Sequence, residues 1–179
     1  MKRTLFCFSV ASILLSCSND TKVKSAESDG AAITAKGPVD LPYTASYTSN
    51  FTTDVSDADL KMVLMSYKDW SDSNLTGLAN SLADTVTVDF SSGDHLVKPK
   101  ADILKMWSTY RDSLSSIKID MTAWQKMYAT DKKDAYIVTW YDETDTYKNG
   151  KVDSASYHDI NRVNNGKIVW YAQYKRPKK

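Results

Sequence analysis

"SYHDINRVNNGKIVWYAQY", Ser156 to Tyr174, decides how this chain is read. Asn165-Gly166 is a turn signal between two runs of alternating character, so the segment folds back on itself as two antiparallel strands. Successive side chains of a strand point to opposite faces. Tyr157, Asp159 and Asn161 therefore share one face, and Ser156, His158, Ile160 and Arg162 the other. On the second strand Tyr171 and Gln173 stand against Ile168, Trp170, Ala172 and Tyr174. A sheet usually carries Val or Thr where this one carries His158, Asp159, Asn161 and Arg162. Those polar groups are a catalytic set, a pocket lining, or the wet side of a strand.

Working towards the N-terminus, the same period of two continues. Tyr136, Val138 and Trp140 alternate with Ile137, Thr139 and Tyr141, and Asn149-Gly150 in "YKNGK" supplies the hairpin turn to the next strand. Ile117, Ile119, Met121 and Ala123 alternate with Lys118, Asp120, Thr122 and Trp124. Before that the period is 3.6. Leu60, Val63, Leu64, Tyr67 and Trp70 form one helical face, with Asp57 as the expected cap. Leu75, Leu78, Ala79 and Leu82 mark a second, short helix, and "DTVTVDF", Asp84 to Phe90, alternates as a strand. Pro99 suits the first turn of a third helix whose stripe is Ile103, Met106, Trp107, Tyr110 and Leu114. Three helices followed by a run of antiparallel strands is an α+β arrangement.

This order resembles that of the nuclear-transport-factor-2-like superfamily, which includes the SnoaL-like (polyketide-cyclase-like) proteins and ketosteroid isomerase. The likeness spans Asp57 to Tyr174 and is carried by "LADTVTVDF" and "HDINRVNNGKIVWYAQY". It implies a cone-shaped, strongly curved antiparallel sheet wrapped around three N-terminal helices, with an apolar pocket at the open end. In the isomerases a strand pattern of Asp, two apolar residues, Arg and an apolar residue precedes the Gly turn. "DINRV", Asp159 to Val163, lies on that pattern with Asn161 at the second apolar position. The resemblance gives Asp159 the part of a protonated carboxyl that donates to an oxyanion, through a strongly raised pKa. The rest of that machinery does not match. The general-base position falls on Phe90, with Asp89 facing the other way, and the helical Tyr position falls near Leu64 or Ser66 rather than on Tyr67.

The family register turns Asp159 inward. Tyr157, Asn161, Tyr171 and Gln173 then join it, together with Trp140 and Asp142 from the neighbouring strand. Aromatic rings with a few fixed polar groups make a small-molecule pocket wall, or else the wet mouth of a cone that holds nothing. On the opposite face, Ile160, Ile168, Trp170 and Tyr174 form a patch too apolar for a monomer surface, and sheet-to-sheet pairing in the superfamily makes a homodimer the expectation.

The N-terminus addresses the chain. Lys2 and Arg3 precede an apolar run from Leu5 to Leu15, too short to span a membrane, and Leu14-Leu15-Ser16-Cys17 resembles a bacterial lipobox. That match implies a signal peptide over 1–16 and lipid on Cys17; composition and periodicity then divide the rest into a flexible tether over 17–42, a domain over 43–176 and a short tail over 177–179. Membrane attachment is through lipid, and Ser18 after the cysteine favours the outer membrane of the cell envelope. Tyr43 to Phe51 is aromatic but aperiodic and is expected to pack as an arm against the domain.

Composition narrows the function classes. Lys and Arg number 23 and Asp and Glu 22, for a net charge of +1, which is not the basic footprint of a nucleic-acid binder. Two histidines, His95 and His158, are too few and too far apart for a metal centre, and there is no Gly-rich phosphate loop or Gly-x-Ser-x-Gly. No cofactor is expected. Three readings remain. The first is a lipid-anchored protein that binds a small apolar or amphipathic molecule without chemistry. The second is a cyclase-like or isomerase-like catalyst using Asp159, with Asp142 or Asp89 as base. The third is an interaction module whose pocket is vestigial.

Overall fold

A computed structural model describes residues 40–178. The elements run β1 (Phe51–Thr52), α1 (Asp57–Ser71), α2 (Leu75–Ser81), β2 (Leu82–Asp89), β3 (His95–Pro99), α3 (Lys100–Arg111), β4 (Leu114–Ala129), β5 (Asp134–Tyr147), β6 (Val152–Asn164) and β7 (Lys167–Pro177). The strands make one seven-stranded sheet in the order β1-β4-β5-β6-β7-β2-β3. This is the expected α+β arrangement with one correction. The sheet is mixed, because β2 lies parallel to β7. No hairpin joins that pair; the chain between them passes through α3 and three long strands, and such a crossover permits parallel pairing. The signal segment over 1–16, Cys17 and the tether as far as residue 39 lie outside the described residues. Among the described residues no helix is long and apolar enough to cross a membrane.

Local chemistry accounts for the helix ends. The hydroxyl of Ser56 accepts from the Asp59 amide at 3.0 Å and caps α1, so the expected cap Asp57 is the first helical residue. Asp57 and Asp59 in the first turn and Lys68 in the last complement the helix dipole. Asn74 caps α2 by accepting from the Gly77 amide at 3.0 Å. Pro99 immediately precedes α3. Its stripe does not pack as expected. Ile103 is buried, but Met106 and Tyr110 are 37% and 40% exposed because they look into a hollow, and Leu114 already belongs to β4. The strand β3 is a further departure. It pairs with β2 at the sheet edge and none of its residues is buried, so no alternation marks it in the sequence. The segment before β1 does lie along the domain as an arm: Tyr47 donates to Asp134, and Thr48 donates to Asp131 at 2.6 Å.

Two loop details set which face each side chain takes. Between β5 and β6 the loop has three residues, Lys148, Asn149 and Gly150, closed by the Tyr147 amide on the Lys151 carbonyl at 2.8 Å and the Gly150 amide on the Tyr147 carbonyl at 2.9 Å. Gly150 sits at φ +84, the left-handed position that such loops reserve for glycine. A two-residue Asn149-Gly150 loop would set Trp140 opposite Asp159. With three residues, Thr139 faces Asp159, Tyr141 faces Tyr157, and Trp140 and Asp142 pair with His158 and Ser156 on the outer side. The inward assignment of Trp140 and Asp142 is therefore wrong by one residue, which in a strand inverts every side chain. Between β6 and β7, Asn165 and Gly166 both have positive φ, 50 and 67, and form a two-residue turn. A bulge then intervenes, since Val163 pairs with Ile168 but Arg162 pairs with Trp170. Ile168 is consequently turned inward and buried, not part of the outer patch.

The core lies between the helices and the concave face. Val55 and Val63 pack with Val86 and Val88 of β2, Ile103 of α3, and Ile137, Val163 and Ile168 of the long strands. Burying each such side chain contributes about 1.5–3 kcal/mol. The convex face carries a different row. Trp140 stacks on His158 with ring centroids 4.9 Å apart, His158 meets Tyr174 at 5.8 Å, and Tyr136 meets Trp170 edge-on at 6.5 Å.

Candidate functional site

Alternation along β5 and β6 brings polar groups to the concave face, and α1 lays a tyrosine over them. Asp159, with no exposed surface, receives three phenol hydroxyls on one carboxylate oxygen: Tyr141 at 2.7 Å, Tyr171 at 3.0 Å and Tyr67 at 3.1 Å. The Tyr67 oxygen in turn accepts from the Asn161 amide at 3.0 Å and contacts the Thr139 hydroxyl at 2.8 Å. Gln173 donates to the Tyr171 oxygen at 2.8 Å. The other carboxylate oxygen of Asp159 has no partner. Burial raises the Asp159 pKa and the three phenols lower it. Burial wins, and the carboxyl is pushed up to about 7.

Beside this network lies a cavity of about 380 Å³. Its walls are largely aromatic. Trp70 stacks with Tyr110 at 6.3 Å and lies 6.4 Å from Trp107, Trp107 meets Tyr171 edge-on at 6.4 Å, and Tyr141 stacks on Tyr157 at 5.1 Å. Phe90 and Met106 complete the apolar lining. Glu143 projects into this space while only 8% exposed. Burial, then the like charges of Asp145 and Asp159, push it up to about 8, against which the Trp70 indole works. Lys175 also lines the cavity, where it lies over the Tyr157 ring at 5.6 Å and reaches Asp153 at 3.4 Å. Among the described residues no group of three or more His, Cys, Asp or Glu is arranged to hold a metal ion.

The structure brings together five of the residues singled out from the sequence. Tyr157, Asn161, Tyr171 and Gln173 line the cavity, and Asp159 lies beneath its floor behind the tyrosines. Trp140 and Asp142 are outside. Asp142 accepts from Ser156 at 2.8 Å and pairs with Lys178 at 2.6 Å, and these contacts hold its pKa below the usual carboxylate range. Asp89 also points away, accepting from His95 at 2.5 Å and from the Trp170 indole at 2.6 Å, with its pKa lowered. Neither carboxylate can act as a base on a molecule in the cavity. Phe90 does face the cavity, with Asp89 behind it, as the strand alternation requires.

Sequence reasoning missed Tyr67, Tyr141, Glu143 and Lys175. Tyr67 carried a usable signal, being a hydroxyl within an apolar helical stripe. Tyr141 and Glu143 follow from the correct loop length, since they stand at the odd positions that share a face with Asp159.

A curled, unclosed sheet with three helices on its concave side and a hollow between them defines the nuclear-transport-factor-2-like class. The chain has that fold. It is similar to an LEH-like epoxide hydrolase from M. tuberculosis, at 7% identity over 66% of this chain and 83% of that one, with a TM-score of 0.57. It is similar to AusH from Aspergillus nidulans, at 12% identity over 68% and 86%, with a TM-score of 0.55. It is also similar to an NTF2-like protein from Anabaena variabilis, at 18% identity over 71% and 96%, with a TM-score of 0.53. No protein-family model and no curated protein matches the sequence.

Proposed function

We propose that this is a lipid-anchored envelope protein whose cone holds a small amphipathic molecule and performs no chemistry on it. The observation that carries the reading is the cavity itself, about 380 Å³ with aromatic walls and a few polar groups among them. Ligand sites run from roughly 300 to 1,000 Å³ with this kind of lining. A vestigial pocket would be filled by its own side chains, so the open volume favours a ligand over a pure interaction module. The anchor rests on Lys2-Arg3, the apolar run to Leu15 and Cys17. Native mass spectrometry of protein purified from its own envelope tests both parts. The expected result is acyl mass on Cys17 and a retained small molecule. Protein that arrives unacylated removes the anchor, and protein that arrives ligand-free removes the binding role.

Catalysis is a second reading, favoured by one observation: Asp159 is held at about 7 beneath three phenol hydroxyls. In that reading the tyrosines, not Asp159, would touch substrate, because the carboxyl has no exposed surface. We further propose a homodimer through the convex row of Trp140, His158 and Tyr174, the last 56% exposed. Sedimentation equilibrium should give a dimer that Trp140→Asp dissociates; a monomer at micromolar concentration refutes it.

A further inference from the structure

The charges around the cavity do not balance, and the imbalance has a sign. Glu143, Asp145 and Asp159 all project from the concave face, and each is at most 8% exposed. Among the described residues none of the three forms an ion pair, whereas the exposed acids Asp57, Asp72, Asp84, Asp120 and Asp142 each have a lysine within 3.0 Å. The one cation lining the cavity, Lys175, lies over the Tyr157 ring and reaches Asp153 at 3.4 Å; its charge favours the ionised forms of Glu143 and Asp145, but it forms an ion pair with neither. Asp145 accepts from Tyr110 at 2.7 Å, and its other oxygen has no partner. Arg111, whose charge favours the ionised form of Asp145, donates to the Leu114 carbonyl at 3.3 Å and forms no ion pair with Asp145, and its buried Nε has no partner. Only Glu143 among these carboxyls reaches the cavity.

We propose that the molecule held in this cavity is an organic cation, an amine or quaternary ammonium on an apolar body, with its positive head against Glu143 between Trp70 and Tyr157. This deepens the ligand-binding reading above and rests on it. Two independent features converge. A buried carboxyl without a cationic partner is costly, and an incoming positive charge supplies that partner. Ring faces carry negative charge, so walls built from indoles and phenols attract cations and repel anions. A neutral ligand would use the walls but leave Glu143 more desolvated than before; an anion would be opposed by the ring faces and would keep Glu143 from ionising. Phe90, Met106 and Trp107 offer the apolar body its surface. The carboxyl of Glu143, held up at about 8, gains from ionising only when such a charge arrives.

The test uses matched probes on the full chain, read by fluorescence of Trp70 and Trp107. Benzyltrimethylammonium is compared with neopentylbenzene, its uncharged isostere, and with phenylacetate. The expected result is binding of the ammonium at least about tenfold tighter than the isostere, as cation–π and ion pairing require, with phenylacetate weakest. Glu143→Gln should remove most of that preference, leaving only the part the ring faces supply. Equal binding of ammonium and isostere overturns the cation inference and leaves the pocket standing. A preference undiminished by Glu143→Gln overturns it too. So does binding by none of the probes, and the pocket reading is then decided separately by the mass of protein taken from the envelope.

Discussion

Glu143 and Asp159 should make the protein less stable as pH rises through neutrality, opposite to the usual behaviour of carboxylates. Each is held above its ordinary value, from 4.5 to about 8 for Glu143 and from 3.8 to about 7 for Asp159. The folded state therefore binds protons that the unfolded chain has already released, and stability falls with pH across that window. The contribution is complete below about pH 4 and is lost as pH passes the folded values. At about 1.4 kcal/mol per pH unit of separation, Glu143 would cost about 4 kcal/mol and Asp159 about 3 kcal/mol between pH 5 and pH 9 if each acted alone. The two repel one another and so share part of that cost. Local opening that admits water limits it further, and about 3–6 kcal/mol is expected.

Thermal unfolding followed by circular dichroism at pH 5, 7 and 9 and constant ionic strength reads this directly. For a domain of this size about 3 kcal/mol corresponds to a fall in Tm of roughly 10 °C. The window avoids a competing effect. Asp84, Asp89 and Asp142 have lowered pKa values, so their contribution is present above the unfolded value and is lost only as pH falls below about 4. Glu143→Gln should remove roughly half of the slope, because an amide cannot titrate, while Asp159, raised by its burial, keeps its own share. A Tm that is level or rises from pH 5 to pH 9, or a slope unchanged by Glu143→Gln, refutes the reasoning.

Other consequences follow from single contacts. Tyr67→Phe removes a donor from Asp159 and the acceptor used by Asn161, so it should destabilise by about 1–3 kcal/mol in urea unfolding, and a carboxyl carbon titration should place Asp159 higher than in the parent. Gly150→Ala should cost about 1–2 kcal/mol from left-handed strain alone, because no atom lies within 4 Å of the added carbon; an unchanged urea midpoint would contradict the loop assignment. Trp170→Phe removes the indole that donates to Asp89 at 2.6 Å while keeping the ring's bulk, and should lower stability by about 1–2 kcal/mol. No loss in that variant would show the outer bond to be energetically idle.

What could be read from the sequence depended on whether a pattern was local. Helical stripes and strand alternation are local, and they located α1, α2, α3 and the four long strands. The site is not local: Asn161 and Tyr67 lie 94 positions apart, and the rings around the cavity come from two helices, three strands and Phe90 just after β2. The stripe through α1 marks Tyr67 as core, and its hydroxyl acquires a role only when Thr139, Asp159 and Asn161 are set opposite it. Register was the harder matter. Asn-Gly occurs in both hairpins; at Asn165-Gly166 both residues take positive φ and close a two-residue turn, whereas at Asn149-Gly150 only the glycine does and Lys148 joins the loop. The dipeptide by itself does not choose between these. One additional loop residue inverts β5, and the inversion exchanges Asp142, a surface acid paired with Lys178, for Glu143, a buried acid that faces the cavity. The side chains of the two residues differ by a single methylene, and their chemistry here differs because one loop is three residues long instead of two.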